Sequence, residues 1–138
     1  MDQAKLVYSA NDSFYKAFES LDIDQMERIW LPASHIKCIH PGWPVLSGPG
    51  PVMQSWQRIF DNTRSMKFDL AEVQVQVAGT TGWVVLLENL ESQTEQGTSH
   101  SQILATNIFQ ELNGAWFIVH HHGSPILMPP TEATERLH

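Results

Sequence analysis

The chain has 138 residues, 42% hydrophobic and 17% charged, a composition typical of one globular domain and not of a disordered segment. A formal net charge of -7 with eight scattered lysines and arginines disfavours nucleic acid and anionic membrane surfaces as partners. The one cysteine, Cys38, excludes an internal disulfide and, with no secretory signal and no apolar run long enough for a membrane span, indicates a cytoplasmic protein.

The first half of the chain predicts three helices and one strand. Apolar residues three and four apart predict a helix over 2–20, and Asp22 is expected to cap a second, short helix. Alternating residues over 35–40 predict a strand, after which Trp43 falls in a proline-rich loop. Prolines in a first helical turn then predict a third helix over 49–62.

The second half changes to the two-residue period of strands. Four strands are predicted, at residues 66–77, 83–90, 101–112 and 116–125. A bulge is expected near Ala71, and the polar segment 91–99 predicts a hairpin loop. The pair Asn113 and Gly114 between two β-rich runs predicts a tight hairpin. Residues 126–138 are expected to form an extended tail.

This order of elements predicts an α+β fold. Three N-terminal helices would pack on one face of a strongly curved, mixed or antiparallel sheet. The absence of repeats and linkers in the sequence indicates a single domain over 1–138, with a core of about 4–125.

The predicted hairpin fixes which residues of its two strands face each other. If the Asn-Gly pair forms the two-residue loop, Asn107 faces His120 and Ala105 faces His122. Side-chain alternation then places Asn107, His120 and His122 on one face and His121 on the other. The pair of Asn107 and His120 on an otherwise apolar face predicts a pocket, or else two core side chains that satisfy each other. A slip of one residue would exchange the two faces.

Three further residues are candidates for a site. His40 ends the first strand and could act as a general base, because histidine titrates near neutral pH, or could be a structural histidine. Trp43 would serve as a lid or a dimer contact, and Trp56 would line the cavity or belong to the core. No metal site is expected, because strand alternation splits the histidine run between two faces, and no cofactor motif is present.

Several motifs carry a family resemblance over about residues 4–125. They are Cys38-Ile-His-Pro-Gly-Trp43, Gly48 with the stripe Val52 to Trp56, and Trp116-x-x-Val-His-x-His-x-Ser-Pro125. The chain resembles the nuclear-transport-factor-2-like (NTF2-like) superfamily, and within it the SnoaL-like proteins of polyketide cyclase type. Its closing strand is also similar to the association domain of calmodulin-dependent protein kinase. The resemblance implies a cone-shaped sheet over helices, an apolar pocket and a homodimer formed through the outer sheet face.

Three functions follow as hypotheses. The first is binding of a small apolar-to-amphipathic molecule, with ligand contacts from His40, Trp43, Trp56, Asn107, His120 and His122. The second is an isomerase, cyclase or dehydratase in which His40 or His120 is the general base and Asn107 holds an oxyanion. Its weakness is the missing carboxylate, since Asp12 and Tyr15 fall off the predicted helical stripe and Glu88 has an uncertain register. The third is a protein association module without chemistry.

Overall fold

The computed structural model describes residues 2–127, so most of the predicted tail over 126–138 lies outside the described residues. The elements in chain order are α1 (Gln3–Ser20), α2 (Ile23–Ile29), β1 (Lys37–Ile39), β2 (Leu46–Ser47), α3 (Pro49–Asp61), β3 (Ser65–Ala78), β4 (Thr81–Thr94), β5 (Gly97–Leu112) and β6 (Ala115–Pro125). The α+β fold with three helices and a curved mixed sheet is therefore confirmed. None of the helices within 2–127 is long and apolar enough to cross a membrane.

Local sequence explains where the helices begin. The Asp2 carboxylate accepts a hydrogen bond from the amide of Ala4 at the start of α1. Asp22 caps α2 as predicted, by accepting from the amide of Asp24. Helix α3 has no side-chain cap, and its first turn contains a proline, whose missing N–H would have no partner there.

The six strands form one sheet in the order β2-β1-β6-β5-β4-β3. Strand β1 runs parallel to β6, and all other neighbours are antiparallel. Helix α1 packs on the inner face of the sheet, where a Cβ at Gly82 would lie 2.7 Å from Cγ2 of Val7. The close approach of helix to sheet therefore requires a glycine at that position.

The hairpin between β4 and β5 is longer than expected. β4 continues to Thr94 and β5 begins at Gly97, so the predicted loop over 91–99 is wrong. Polar side chains pair across the two strands here, with the Ser92 and Ser99 hydroxyls 3.0 Å apart. Both faces of this end of the sheet are largely solvated, so the strands lack the apolar alternation that marks a half-buried strand.

The hairpin between β5 and β6 contains a bulge that the sequence did not reveal. Phe109 pairs with Ile118 as expected, but Ile108 pairs with His120. Val119 is therefore an extra residue in β6, and Ile118 and Val119 are both buried although they are consecutive.

The bulge exchanges the faces of the rest of β6. Asn107 lies opposite His121, so the predicted pair of Asn107 and His120 is wrong. Ala105 lies opposite Gly123, so its predicted pairing with His122 is also wrong. His121 faces the interior, and His120 and His122 face outward.

Candidate functional site

A chain of hydrogen bonds runs through the interior between α1 and the sheet. The Tyr15 hydroxyl donates to Oε2 of Glu88 at 2.5 Å. Nδ2 of Asn107 donates to the Tyr15 hydroxyl at 3.1 Å and to Oδ1 of Asn11 at 2.9 Å. Nδ1 of His121 lies 2.6 Å from Oδ1 of Asn107. Each of these five side chains is at most 2% exposed, so the interior cluster, as we call it, is sealed from solvent.

The donors and acceptors of the interior cluster fix the tautomer of His121. An amide oxygen carries no hydrogen, so Nδ1 of His121 donates to Oδ1 of Asn107 and Nε2 is the unprotonated nitrogen. Both N–H groups of Asn107 are already used, by Asn11 and Tyr15. The amide therefore has no donor left for an oxyanion, which argues against the role that the sequence suggested for Asn107.

Burial shifts the titration of the interior cluster toward neutral forms. Burial raises the pKa of Glu88 to about 7, against the opposing effect of the Tyr15 hydrogen bond. Burial and then the nearby charge of Glu88 raise the pKa of Tyr15. Burial lowers the pKa of His121 well below its ordinary value, and the positive charge of neighbouring histidines adds to this. An unprotonated imidazole and a carboxyl that titrates near neutral pH therefore share one hydrogen-bonded chain.

His40 lies beside the interior cluster with a partner of its own. Its Nε2 is 2.9 Å from Oγ of Ser55, and that hydroxyl donates to the carbonyl of Val52 at 2.6 Å. Since the Ser55 hydrogen is used, Nε2 of His40 donates and Nδ1 is unprotonated. Burial lowers the pKa of His40 to about 4, so the ring is neutral at physiological pH. The rings of His40 and His121 are 6.4 Å apart.

Two tryptophans contact His40. The Trp56 ring is 4.7 Å from the His40 ring and 5.9 Å from the His121 ring. Its indole N–H is buried and makes no hydrogen bond within the described residues. Trp43 packs edge-on against His40 at 4.9 Å, and the Arg58 guanidinium lies 5.7 Å from the Trp43 ring. Trp43 is half-buried, so it forms part of the cover over His40.

The structure brings four of the six predicted ligand residues together. His40, Trp43 and Trp56 are in contact, and Asn107 joins them through His121. The other two, His120 and His122, lie on the outer face with their rings 6.3 Å apart. The expectation that these two face the pocket is wrong. A ligand-binding role for the four interior residues stays a prediction.

Sequence reasoning missed five interior residues: Asn11, Tyr15, Ser55, Glu88 and His121. The helix α1 buries residues 7, 11, 14, 15 and 18, so Tyr15 lies on the buried stripe and not off it, as expected from the sequence. Strand alternation through Val84 and Leu86 also places Glu88 inward. Only the inward direction of His121 depends on the bulge, and no clear sequence pattern predicts that bulge.

The cavities that open to solvent lie elsewhere. One is a groove of about 840 Å³ between α2, the start of α3 and the tip of the β5–β6 hairpin, lined by Leu31, Ile36, Met53, Leu112 and Phe117 among others. Within residues 2–127, no three side chains of His, Cys, Asp or Glu are grouped so that they could hold a metal ion. Cys38 is buried in β1, and burial raises the pKa of its thiol.

Comparisons with known proteins give one family and several solved structures. The SnoaL-like domain model matches residues 7–129. A proposed dehydratase of the NTF2-like family from Streptomyces avermitilis is 36% identical, with a TM-score of 0.85 over 91% of this chain and 97% of that one. A proposed association domain of a type II calcium/calmodulin-dependent protein kinase from Thiobacillus denitrificans is 28% identical, with a TM-score of 0.77 over 86% of this chain and 94% of that one.

One curated relative is a larger protein. The F-box protein SKIP8 of Arabidopsis thaliana is 30% identical over 124 residues, which are 90% of this chain and 51% of that protein. The chain thus spans about half the length of the curated relative it matches. The resemblance noted in the sequence is confirmed by the family model and by the two structures.

Proposed function

Since the chain belongs to the SnoaL-like domain family, we propose that it binds a small, mostly apolar molecule within the cone, against the interior cluster. The observation that supports this is the hydrogen-bonded chain from Glu88 through Tyr15 and Asn107 to His121. Burying five polar side chains costs desolvation free energy, which an apolar interior would not incur. A purely structural interior would therefore not need this cluster.

The interior cluster also suits acid–base chemistry of the isomerase or dehydratase type. Nε2 of His121 would take a proton from a carbon next to a carbonyl, the C–H electron pair would form the enolate, and the carbonyl oxygen would carry the negative charge. Here His121 replaces His120 as the candidate base, because His121 faces inward. The similarity to a proposed dehydratase supports this chemistry.

Access to the interior cluster requires movement of the residues that cover it. Trp43 and His40 pack together, and no member of the interior cluster is more than 2% exposed. A displacement of the loop with Trp43, which follows Gly42 at a φ of 81°, would uncover His40 first. This agrees with the sequence-based proposal of Trp43 as a lid.

Binding can be tested with a panel of cyclic ketones, alcohols and phenols followed in ¹H–¹⁵N spectra. We expect shifts at inner-face residues such as Val84 and Leu86. The variant Ala105→Leu, which fills the inner face, should abolish them, and Thr106→Leu on the outer face is the matched control. Shifts confined to the groove near Met53, or no shifts, would contradict the proposal.

The acid–base step has its own measurement. Exchange of the α-protons of cyclohexanone in deuterium oxide, followed by proton NMR, should be accelerated by the protein. His121→Gln should remove the acceleration and His120→Gln should retain it, since only His121 faces inward. If the wild-type protein does not change the exchange rate of the α-protons, the acid–base proposal is wrong and only the binding function remains.

We also propose a homodimer through the outer sheet face, where Trp83 is 37% and Leu104 49% exposed. These two residues lie beside Ile108 and Leu87 on neighbouring strands, and together we call the four the outer apolar patch. The similarity to an association domain supports this second function. A reducing compartment such as the cytoplasm fits the buried, free Cys38. A monomer in sedimentation at micromolar concentration would contradict the homodimer.

A further inference from the structure

We propose that the indole N–H of Trp56 is the donor that holds the oxygen atom of the bound molecule. The ligand class is then a compact, uncharged molecule with one carbonyl or hydroxyl oxygen on an apolar body. The inference rests on the proposed binding function and adds the residue that would select the ligand.

The indole N–H of Trp56 has no hydrogen-bond partner within the described residues. The side chain is 0% exposed. Buried donors are nearly always paired, because an unpaired one loses its bond to water without replacement. By contrast, the other buried tryptophan, Trp30, donates from Nε1 to the sulfur of Met26. The unpaired donor therefore indicates an acceptor that the protein itself does not supply.

No described side chain around Trp56 accepts a hydrogen bond from its indole N–H, although His40 and His121 each have an unprotonated nitrogen. Phe18 and His40 meet the indole nearly at right angles, with ring centroids 4.6 and 4.7 Å away. The phenyl ring has no lone pair. The amide of Asn107 already uses its oxygen for His121 and both of its N–H groups for other partners.

The chemistry around the indole specifies a neutral oxygen. His40 and His121 each have an unprotonated nitrogen, by the tautomers that their partners impose, so a hydroxyl could accept from Trp56 and donate to one of them. A carbonyl would need only the indole N–H. No lysine or arginine belongs to the interior cluster, so a buried anion would have no opposite charge.

Two isosteric compounds test the inference on the intact protein. Cyclohexanone carries a carbonyl oxygen where methylenecyclohexane carries a CH₂ group of similar shape. The five tryptophans should give five indole cross-peaks in a ¹H–¹⁵N spectrum, and Trp56→Phe identifies the Trp56 peak. We expect cyclohexanone to move the Trp56 indole proton downfield and to bind about tenfold more tightly than methylenecyclohexane, as one buried hydrogen bond would provide.

The variant measurement separates hydrogen bonding from packing. Trp56→Phe should weaken cyclohexanone about tenfold and leave methylenecyclohexane unchanged. Trp116→Phe is the matched control, because the Trp116 indole already donates to Oε1 of Gln3 at 3.0 Å on the surface. If Trp56→Phe fails to fold, the two compounds on wild-type protein still decide the question.

Equal affinity for both compounds, or an indole proton of Trp56 that keeps a nuclear Overhauser contact to water when cyclohexanone is bound, overturns this inference and leaves the binding function standing. No shift of any interior resonance with either compound overturns both.

Discussion

Two neighbouring histidines on β6 illustrate the difference between the faces of the sheet. His121 is 2% exposed, donates to Asn107 and has a strongly lowered pKa. His120 lies on the outer face, is half-buried, and has a pKa lowered by partial burial and by the positive charges of His122 and Lys37. One extra residue, Val119, decides which of the two enters the interior. Which side chains of β6 face the interior thus depends on a bulge, and the composition of the strand does not reveal that bulge.

The two faces should respond differently to the same substitution. On the inner face, the members of the interior cluster bond to one another, and water is excluded. Removing one member leaves its former partners unsatisfied, which costs about 1–3 kcal/mol for each group. On the outer face, water replaces a lost partner, and the expected cost is within about 0.5 kcal/mol.

Asn107→Ala should have the largest effect, because Asn107 connects three partners. We expect a loss of about 4 kcal/mol in the free energy of unfolding, from unpaired groups on His121 and Asn11 and from the space left behind. The measurement is urea denaturation at neutral pH. Thr106→Ala, the adjacent outer-face residue on β5, is the control. Similar losses in both variants would mean that the interior cluster contributes little to stability.

The raised pKa of Glu88 predicts that the free energy of unfolding depends on pH. The pKa of the carboxyl rises from 4.5 to about 7 on folding, so the folded protein binds this proton more tightly than the unfolded chain. The resulting stability is fully present below pH 4.5 and is lost as pH rises through 7, a change of about 3 kcal/mol. The free energy of unfolding of wild type minus that of Glu88→Gln should therefore fall as the pH rises from 4.5 through about 7. The histidines are common to both proteins and cancel in the difference.

A matched substitution checks that this dependence belongs to Glu88. Thr106→Ala, which removes no ionisable group from the outer face, should leave the stability difference from wild type constant over the same range of pH. Infrared spectra give a second measurement, since a protonated Glu88 should show a carbonyl band that disappears near pH 7 and is absent from Glu88→Gln. A pH-independent difference for Glu88→Gln would contradict the burial that we assign to its carboxyl.

The adjacent histidines give a sharper test of the bulge. His121→Phe keeps an aromatic ring but leaves Oδ1 of Asn107 without a donor, so we expect a loss of about 2 kcal/mol. His120→Phe should change stability by less than about 0.5 kcal/mol, because His120 faces outward. Both are measured by thermal and urea denaturation. The reverse order would show that β6 pairs in the register expected from the hairpin alone.

The sequence predicted the fold better than the site, for identifiable reasons. Asp22, the prolines of α3 and the Asn-Gly turn act locally, and each fixed an element boundary or a turn. The inward direction of Tyr15 and Glu88 could have been predicted too, since each follows the spacing of the buried residues on its own element. The position of His121 could not, because a bulge at Val119 depends on packing against the whole sheet.

The smallest effect on stability is expected on the outer face, where assembly is the more sensitive measurement. Leu104→Asp should change the free energy of unfolding of the monomer by less than about 0.5 kcal/mol, because Leu104 is half exposed. It should nevertheless convert a dimer to a monomer in sedimentation at micromolar concentration, since a buried carboxylate within the outer apolar patch would have no partner. Leu112→Asp is the control, because Leu112 is similarly exposed but lies at the hairpin tip beside the groove. Dissociation by Leu112→Asp and not by Leu104→Asp would show that the dimer interface lies at the groove. The outer face would then have no role in assembly, and only the inner face, with the interior cluster, would keep a proposed function.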